Sequence, residues 1–227
     1  MQTDTSPPTT QFDWQIYADA TFAGLSLLIP IPLLDVAFEW FFRRRMARTI
    51  ARLRGDGGRS LSPAVIQEIN RDPDAWWQGC LMAPFKLFLL FLKRLSRKLL
   101  YFLTVKEATD QLNFYWHRAF LLDHMVQRGD LDSVETAVPA LQAMHIILKT
   151  HATSPLVQLA AQILDNVSHV LRTIFRWLRR GREDEVVQTT RQTMAAHWLD
   201  FAAYFAAVAQ QYDALVTAVP QTPDNQS

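Results

Sequence analysis

The stretch that most constrains this chain runs from Gly24 to Trp40 and reads GLSLLIPIPLLDVAFEW. Two prolines, Pro30 and Pro32, interrupt an otherwise helical pattern. Proline lacks the backbone N–H and clashes with the turn before it, so the helix breaks here. Chain reversals in water are normally built from Gly, Asn, Asp or Ser. This one is flanked instead by Leu27, Leu28, Ile29, Ile31, Leu33 and Leu34. An apolar bend of this kind has to be covered, by the rest of the protein or by lipid.

Its length rules out the simplest lipid solution. The uncharged apolar run from Ala20 to Leu34 is 15 residues long, short of the roughly 20 that cross a bilayer as a helix. A buried helix junction and a hairpin tip dipping into a membrane both remain. Either way the first helix is expected from an N-cap at Asp13 to about Ile29. The second is expected from Pro32, a favoured first-turn residue, to about Arg54. Gly55-Asp56-Gly57-Gly58 then stops it.

That second helix changes character along its length. It opens on Leu33, Leu34, Val36, Phe38, Trp40, Phe41 and Phe42 and closes on RRRMARTIARLR. Helical spacing places Phe42, Met46, Ile50 and Leu53 on one stripe, with Arg43, Arg44, Arg45, Arg48 and Arg52 as a basic patch elsewhere. Arg43 stands i+4 from Glu39 and is in register to pair with it. A short helix capped by Ser62-Pro63 follows, ending at Asp72-Pro73. Trp76 and Trp77 come next, and from Pro84 to Leu103 the chain reads as a basic amphipathic helix. Lys86, Lys93, Arg94, Arg97 and Lys98 share one sector, opposite Phe88, Phe91, Leu92, Leu95, Leu99 and Phe102.

Charge divides the same way. Residues 1–106 hold 14 Lys and Arg against nine Asp and Glu, a net +5, whereas 107–227 hold nine against 13, a net −4. Cations beside aromatic rings suit an anionic leaflet, where each Lys or Arg gains about 1 kcal/mol and Trp settles at the headgroup level. Membrane contact is therefore expected at Leu28, Ile29, Ile31, Leu33, Trp76, Trp77, Lys86, Phe88, Phe91, Lys93, Arg94, Arg97 and Lys98. Nucleic acid is not an expected partner, because no helix-turn-helix, zinc-finger or RNP pattern accompanies the arginines.

After Thr104 the apolar spacing becomes regular. Thr104-Val105-Lys106-Glu107 has the form of a capping box, so a helix is expected from there to Gly129. Further helices are expected after Asp132-Ser133, from Ser154-Pro155 to Gly181, and from about Glu183 to Val216. The last carries Met194, Trp198, Phe201, Phe205, Val208, Tyr212 and Leu215 at alternating four and three, a helix-packing seam. Val134, Val138, Leu141 and Leu148 form a seam in which His145 takes an apolar place.

Asp110, His117 and His124 recur at sevens, the nearest approach to metal-ligand spacing. Ligands two turns apart on one helix are about 10 Å apart, too far to share an ion. No Glu-x-x-His pair supports a di-metal bundle, so no metal or cofactor is expected. Structural hydrogen bonding accounts better for these residues and for Asp165/His169 and His197/Asp200. No phosphate loop, nucleophile elbow or zinc-protease motif is present. One cysteine, Cys80, excludes an intrachain disulfide and fits a reducing compartment.

The sequence thus predicts an all-α protein: a Pro-broken helical hairpin plus a basic amphipathic helix, followed by an antiparallel helical bundle. Residues 1–12 read as a disordered lead-in without a secretory n-region, 13–103 as the membrane-associating region, 104–218 as the bundle, and 219–227 as a disordered tail. The expected role is non-enzymatic: peripheral attachment to the inner, cytoplasmic face of a membrane through 20–103, with the last helix binding a protein partner or a second copy. The alternatives are a fully soluble helical adaptor and a metal-dependent helical enzyme using Asp110, His117, His124 or His145.

Overall fold

The computed structural model describes residues 13–28, 34–54, 61–71, 97–150, 154–164 and 185–218, and these are all-α. In chain order they form α1 (Trp14–Leu25), a 3₁₀ turn (Ser26–Leu28), α2 (Leu34–Arg54), α3 (Pro63–Asn70), α4 (Arg97–Arg128), α5 (Val134–Thr150), α6 (Leu156–Leu164) and α7 (Glu185–Ala218).

The helix boundaries follow local chemistry. Asp13 caps α1 by accepting from the Gln15 N–H at 2.9 Å, and Ser62 caps α3 by accepting from Val65 N–H at 3.2 Å. Ser133 accepts from Thr136 N–H at 3.3 Å at the head of α5, and Ser154 accepts from Leu156 N–H at 3.2 Å at the head of α6. Helix α4 ends at Gly129, whose φ of 79° is open to glycine and strained for other residues. Gly129 N–H bonds to Val126 O at 3.2 Å and Asp130 N–H to Met125 O at 3.0 Å, the paired reverse bonds of a Schellman stop. Pro139 sits inside α5 without ending it.

The chain is built around α4. From Leu112 to Met125 this helix is buried at every position but Phe114, and it packs against α1, α2, α5, α6 and α7. Helix α1 is covered on nearly all sides, Gln15 being its one exposed residue. The two helices approach so closely at Gly24 that a Cβ there would lie 2.8 Å from Leu112 Cα. Trp116 of α4 donates its indole N–H to Thr21 Oγ1 at 3.0 Å, which ties the same pair together by a buried hydrogen bond. The inner face of α7 meets this core through Trp198, edge-on to Tyr17 at 4.8 Å, and through Phe205, 4.5 Å from Phe120. Buried residues of all seven α-helices form one continuous hydrophobic cluster.

Four expectations are corrected. The capping-box pattern at Thr104 starts no helix, because α4 runs unbroken from Arg97 to Arg128. Extending an existing helix by one residue is cheap, whereas starting one is costly, so a cap-like sequence inside a growing helix is simply absorbed. The boundary drawn between 103 and 104 therefore falls inside one helix. Helix α1 gives way to the 3₁₀ turn after Leu25, earlier than Ile29. Leu53, assigned to the inner stripe of α2, is 36% exposed, while Phe42, Met46 and Ile50 are 1% or less. On α5 the expected seam is only part of the inner face: Leu148 is buried and Val134 and Leu141 pack against the core, but Ala137, Ala140, Ala143, Met144 and Ile147 make up the rest of the buried row. Small residues allow close helix contact, and a reading weighted by hydrophobicity undervalues them.

The seam on α7 holds. Met194, Trp198, Phe205, Val208 and Tyr212 are buried, and Phe201 and Leu215 pack against them. The Pro30–Pro32 break, the lead-in, the tail, Trp76-Trp77 and the basic helix before Arg97 lie outside the described residues.

Candidate functional site

Helix α2 has two unlike faces. Inward, Phe42 stacks on Phe22 of α1 at 5.2 Å, and Met46 and Ile50 complete the buried row. Outward, Val36, Trp40 and Phe41 are exposed at 48%, 52% and 50%. They account for three of the five large hydrophobic residues that are exposed among the described residues. Large aromatics left half in water, next to one another, mark a contact surface more often than scattered apolar residues do.

The cations of α2 divide between structure and surface. Arg43 Nη2 donates to Asn70 O at 2.7 Å, and Arg118 Nη2 of α4 donates to Ile69 O at 2.6 Å. These two guanidinium groups satisfy the C-terminal carbonyls of α3 and suit its negative dipole end. Arg43 therefore belongs to the fold and leaves the basic patch. Glu39, expected to meet Arg43, accepts the Tyr115 hydroxyl at 2.5 Å. Burial first, and then Glu39, raise that phenol far above the ordinary tyrosine range.

The remaining arginines continue the outer face. Arg44 lies over the Trp40 ring at 4.3 Å, and Arg48 and Arg52 are exposed. Arg45 is half exposed and its Nε is 3.3 Å from Asp19 Oδ1. Residues 36, 40, 44, 48 and 52 stand four apart, so they form one slowly winding ridge about 24 Å long. Its first turns are apolar and aromatic, and its last turns are cationic. Farther along, Arg54 leaves the ridge and clamps Asp123 of α4 with bonds of 2.8 and 3.1 Å.

Of the expected membrane contacts, Leu28 is corrected. It is 5% exposed and belongs to the hydrophobic cluster, because the 3₁₀ turn that carries it packs against α4 and α2. Arg97 and Lys98 fall in the first turn of α4. Ile29, Ile31, Leu33, Trp76, Trp77, Lys86, Phe88, Phe91, Lys93 and Arg94 lie outside the described residues. Among the described residues no helix is long and apolar enough to cross a membrane.

The residues with metal-like spacing on α4 are drawn apart. Asp110 is exposed. His117 is 1% exposed; its Nδ1 meets Asn113 O at 2.7 Å and its Nε2 meets the Tyr204 hydroxyl at 2.6 Å. Asn113 is also bonded by Ser154 Oγ, so α4, α6 and α7 share one buried polar cluster. His124 Nε2 meets Asp213 Oδ1 at 2.8 Å, and Arg128 Nη1 donates to the same oxygen at 2.7 Å. Among the described residues no three His, Cys, Asp or Glu side chains come together as a metal set. His117 and His124 instead each join α4 to α7, while His197 meets Asp200 within α7 at 3.3 Å.

The aromatic face of α7, expected to receive a partner, is occupied by the protein's own core. Trp198, Phe205 and Tyr212 are buried at 5% or less. The exposed side of α7 mixes alanines, such as Ala195, Ala203 and Ala207, with polar residues, such as Arg191, Gln192, Asp200 and Gln210.

Sequence reasoning named the arginines of the outer ridge but missed Val36, Trp40 and Phe41 as surface residues. The signal was present: aromatics at 38, 40, 41 and 42 cannot all face one neighbour when successive residues turn by about 100°. No family model, curated protein or solved structure matches the chain.

Proposed function

We propose that this is a non-enzymatic protein that attaches peripherally to an anionic membrane surface at its cytoplasmic side, with the outer face of α2 as a principal contact. The observation that carries the reading is the juxtaposition on that ridge of Val36, Trp40 and Phe41, about half exposed, with exposed Arg48 and Arg52 and with Arg44 over Trp40. Aromatic rings supply insertion into the headgroup boundary, and arginines supply attraction to lipid phosphates. The basic aromatic sequence from Trp76 to Lys98 adds cations and rings of the same kind to the first half of the chain.

Co-sedimentation with vesicles tests it. The protein is expected to pellet with phosphatidylglycerol-containing vesicles and to stay in solution with pure phosphatidylcholine. Arg48→Glu/Arg52→Glu reverses two exposed charges and should abolish most of the pelleting. Equal recovery with both vesicle types, or none with either, refutes the proposal.

A second reading, a soluble helical interaction module, draws on the burial of Leu28 within the protein's own core. It predicts a monodisperse preparation without detergent and no recovery with any vesicle.

A further inference from the structure

A buried carboxylate stands directly behind the cationic ridge. Asp19 of α1 is 3% exposed. Its Oδ2 accepts from Thr49 Oγ1 at 2.9 Å, and its Oδ1 is 3.3 Å from Arg45 Nε. Thr49 and Arg45 are both on α2, one turn apart. Among the described residues every charged group that acts on Asp19 comes from that helix, Arg45 first and then Arg52. Arg45 is the neighbour of Arg44 and precedes Arg48, so it flanks the ridge while turned toward α1. Its side chain is 50% exposed against 4% for Asp19: the cation has access to solvent and the anion does not.

We infer that Asp19 is an acid-sensitive restraint on the α2 surface: ionised, it holds Arg45 beside α1 and offsets its charge, and protonated, it releases Arg45 to the exposed arginine row. The inference rests on the membrane reading of that row. The neutral carboxyl keeps Thr49 as a hydrogen-bond partner, so the α1–α2 contact survives while the ion pair is lost. Burial favours the protonated form and raises the carboxyl above the ordinary aspartate range, against the opposing pull of Arg45, the Thr49 bond and Arg52. The restraint therefore gives way at a milder acidity than an exposed aspartate would need. One added cation near an anionic leaflet strengthens binding about five-fold.

The experiment is a vesicle titration of the full chain between pH 7.5 and 4.5, with phosphatidylglycerol vesicles, whose headgroup charge does not change over that range. Asp19→Asn should bind about five-fold tighter than the wild type at pH 7.5, and the difference should close as pH falls. Every other ionisable group is common to the two proteins, so the difference between them isolates Asp19. Arg45→Gln, at a half-exposed side chain, gives a second and independent reading. It should bind like the wild type at pH 7.5 and fall behind it at pH 4.5. Parallel pH profiles for wild type, Asp19→Asn and Arg45→Gln overturn the restraint while leaving the membrane reading standing. Failure of the wild type to bind these vesicles at any pH overturns both.

Discussion

Replacing Trp40 by alanine separates the insertion part of the proposed membrane attachment from the electrostatic part. An aromatic side chain presents roughly 150–250 Å², and Trp40 is 52% exposed, so about 100 Å² is free to be covered. At about 25 cal/mol per Å², full coverage contributes ~2.5 kcal/mol. Immersion only to headgroup depth realises about half of that. The Arg44 guanidinium lies over the ring before any lipid is met, so that contact positions the ring and is not added to the affinity. Trp40→Ala should therefore weaken vesicle binding by about ten-fold to a hundred-fold. A single exposed arginine such as Arg48 should cost about five-fold. Salt distinguishes the two: raising ionic strength screens the arginine contribution and leaves the tryptophan contribution in place. Because Trp40 lies outside the buried cluster, its loss should change unfolding free energy by less than about 1 kcal/mol. A vesicle titration at low and high salt, paired with thermal unfolding of each variant, reads all of these. A folded Trp40→Ala protein that binds with wild-type affinity would refute the reasoning, since the most exposed apolar residue of the ridge would then contribute nothing.

Other predictions concern the scaffold that holds this face. Gly24→Ala places a Cβ 2.8 Å from Leu112 Cα, and main chain cannot move aside as a side-chain tip does. Forcing α1 and α4 apart should cost about 1–3 kcal/mol, more than the gain of roughly 0.5–1 kcal/mol from a better helix former, so urea denaturation should show a lower midpoint. Asp19→Asn tests the raised aspartate by linkage: a carboxyl raised in the folded state favours folding at low pH and loses that advantage as pH rises through its folded value. The wild-type melting temperature should therefore fall relative to Asp19→Asn as pH goes from 4.5 to 7.5, and a wild type that instead gains on Asp19→Asn over that range contradicts this. Arg54→Ala removes both bonds to Asp123, which keeps only Gln127 at 2.9 Å; chemical denaturation should register a loss of about 2 kcal/mol.

What the sequence made legible was local. Asp13, Ser62 and Ser133 act as caps through atoms within three residues of themselves, and Gly129 stops α4 through its own φ. The α7 seam was legible because its large apolar residues, Met194 to Leu215, recur at alternating four and three on one face. Partners distant in sequence were not. Nothing in the spacing of α2 says that Arg43 will satisfy a carbonyl of α3 while Arg45 meets Asp19, 26 residues earlier, because periodicity assigns a side chain to a face and not to a neighbour. Helix α4 was misjudged for the converse reason. From Leu112 to Met125 it has no solvent face to sharpen the pattern, and its start was sought at a cap it does not use. His117 and His124 illustrate the consequence for the site: they share the sevenfold spacing on α4, yet Tyr204 and Asp213 of α7 decide their roles.

The exposure of Trp40 and Phe41 is nevertheless a matter of sequence more than of tertiary detail. Phe38, Trp40, Phe41 and Phe42 occupy four of five consecutive positions, and at about 100° per residue they point around most of the helix circumference. Whichever side of α2 docks on α1 and α4, part of this cluster faces away. The inner places are filled by Phe42, with Phe38 packed beside it at 5.7 Å, so the two rings left outside are surplus to the core and not displaced from it. The arginine row of the following turns continues along that same outer side. A second protein could cover the rings, but exposed cations beside them would then each need an acid on that partner's surface. An anionic leaflet meets both requirements at once and without a fixed register, which suits a ridge whose apolar and cationic ends lie about 24 Å apart along one helix.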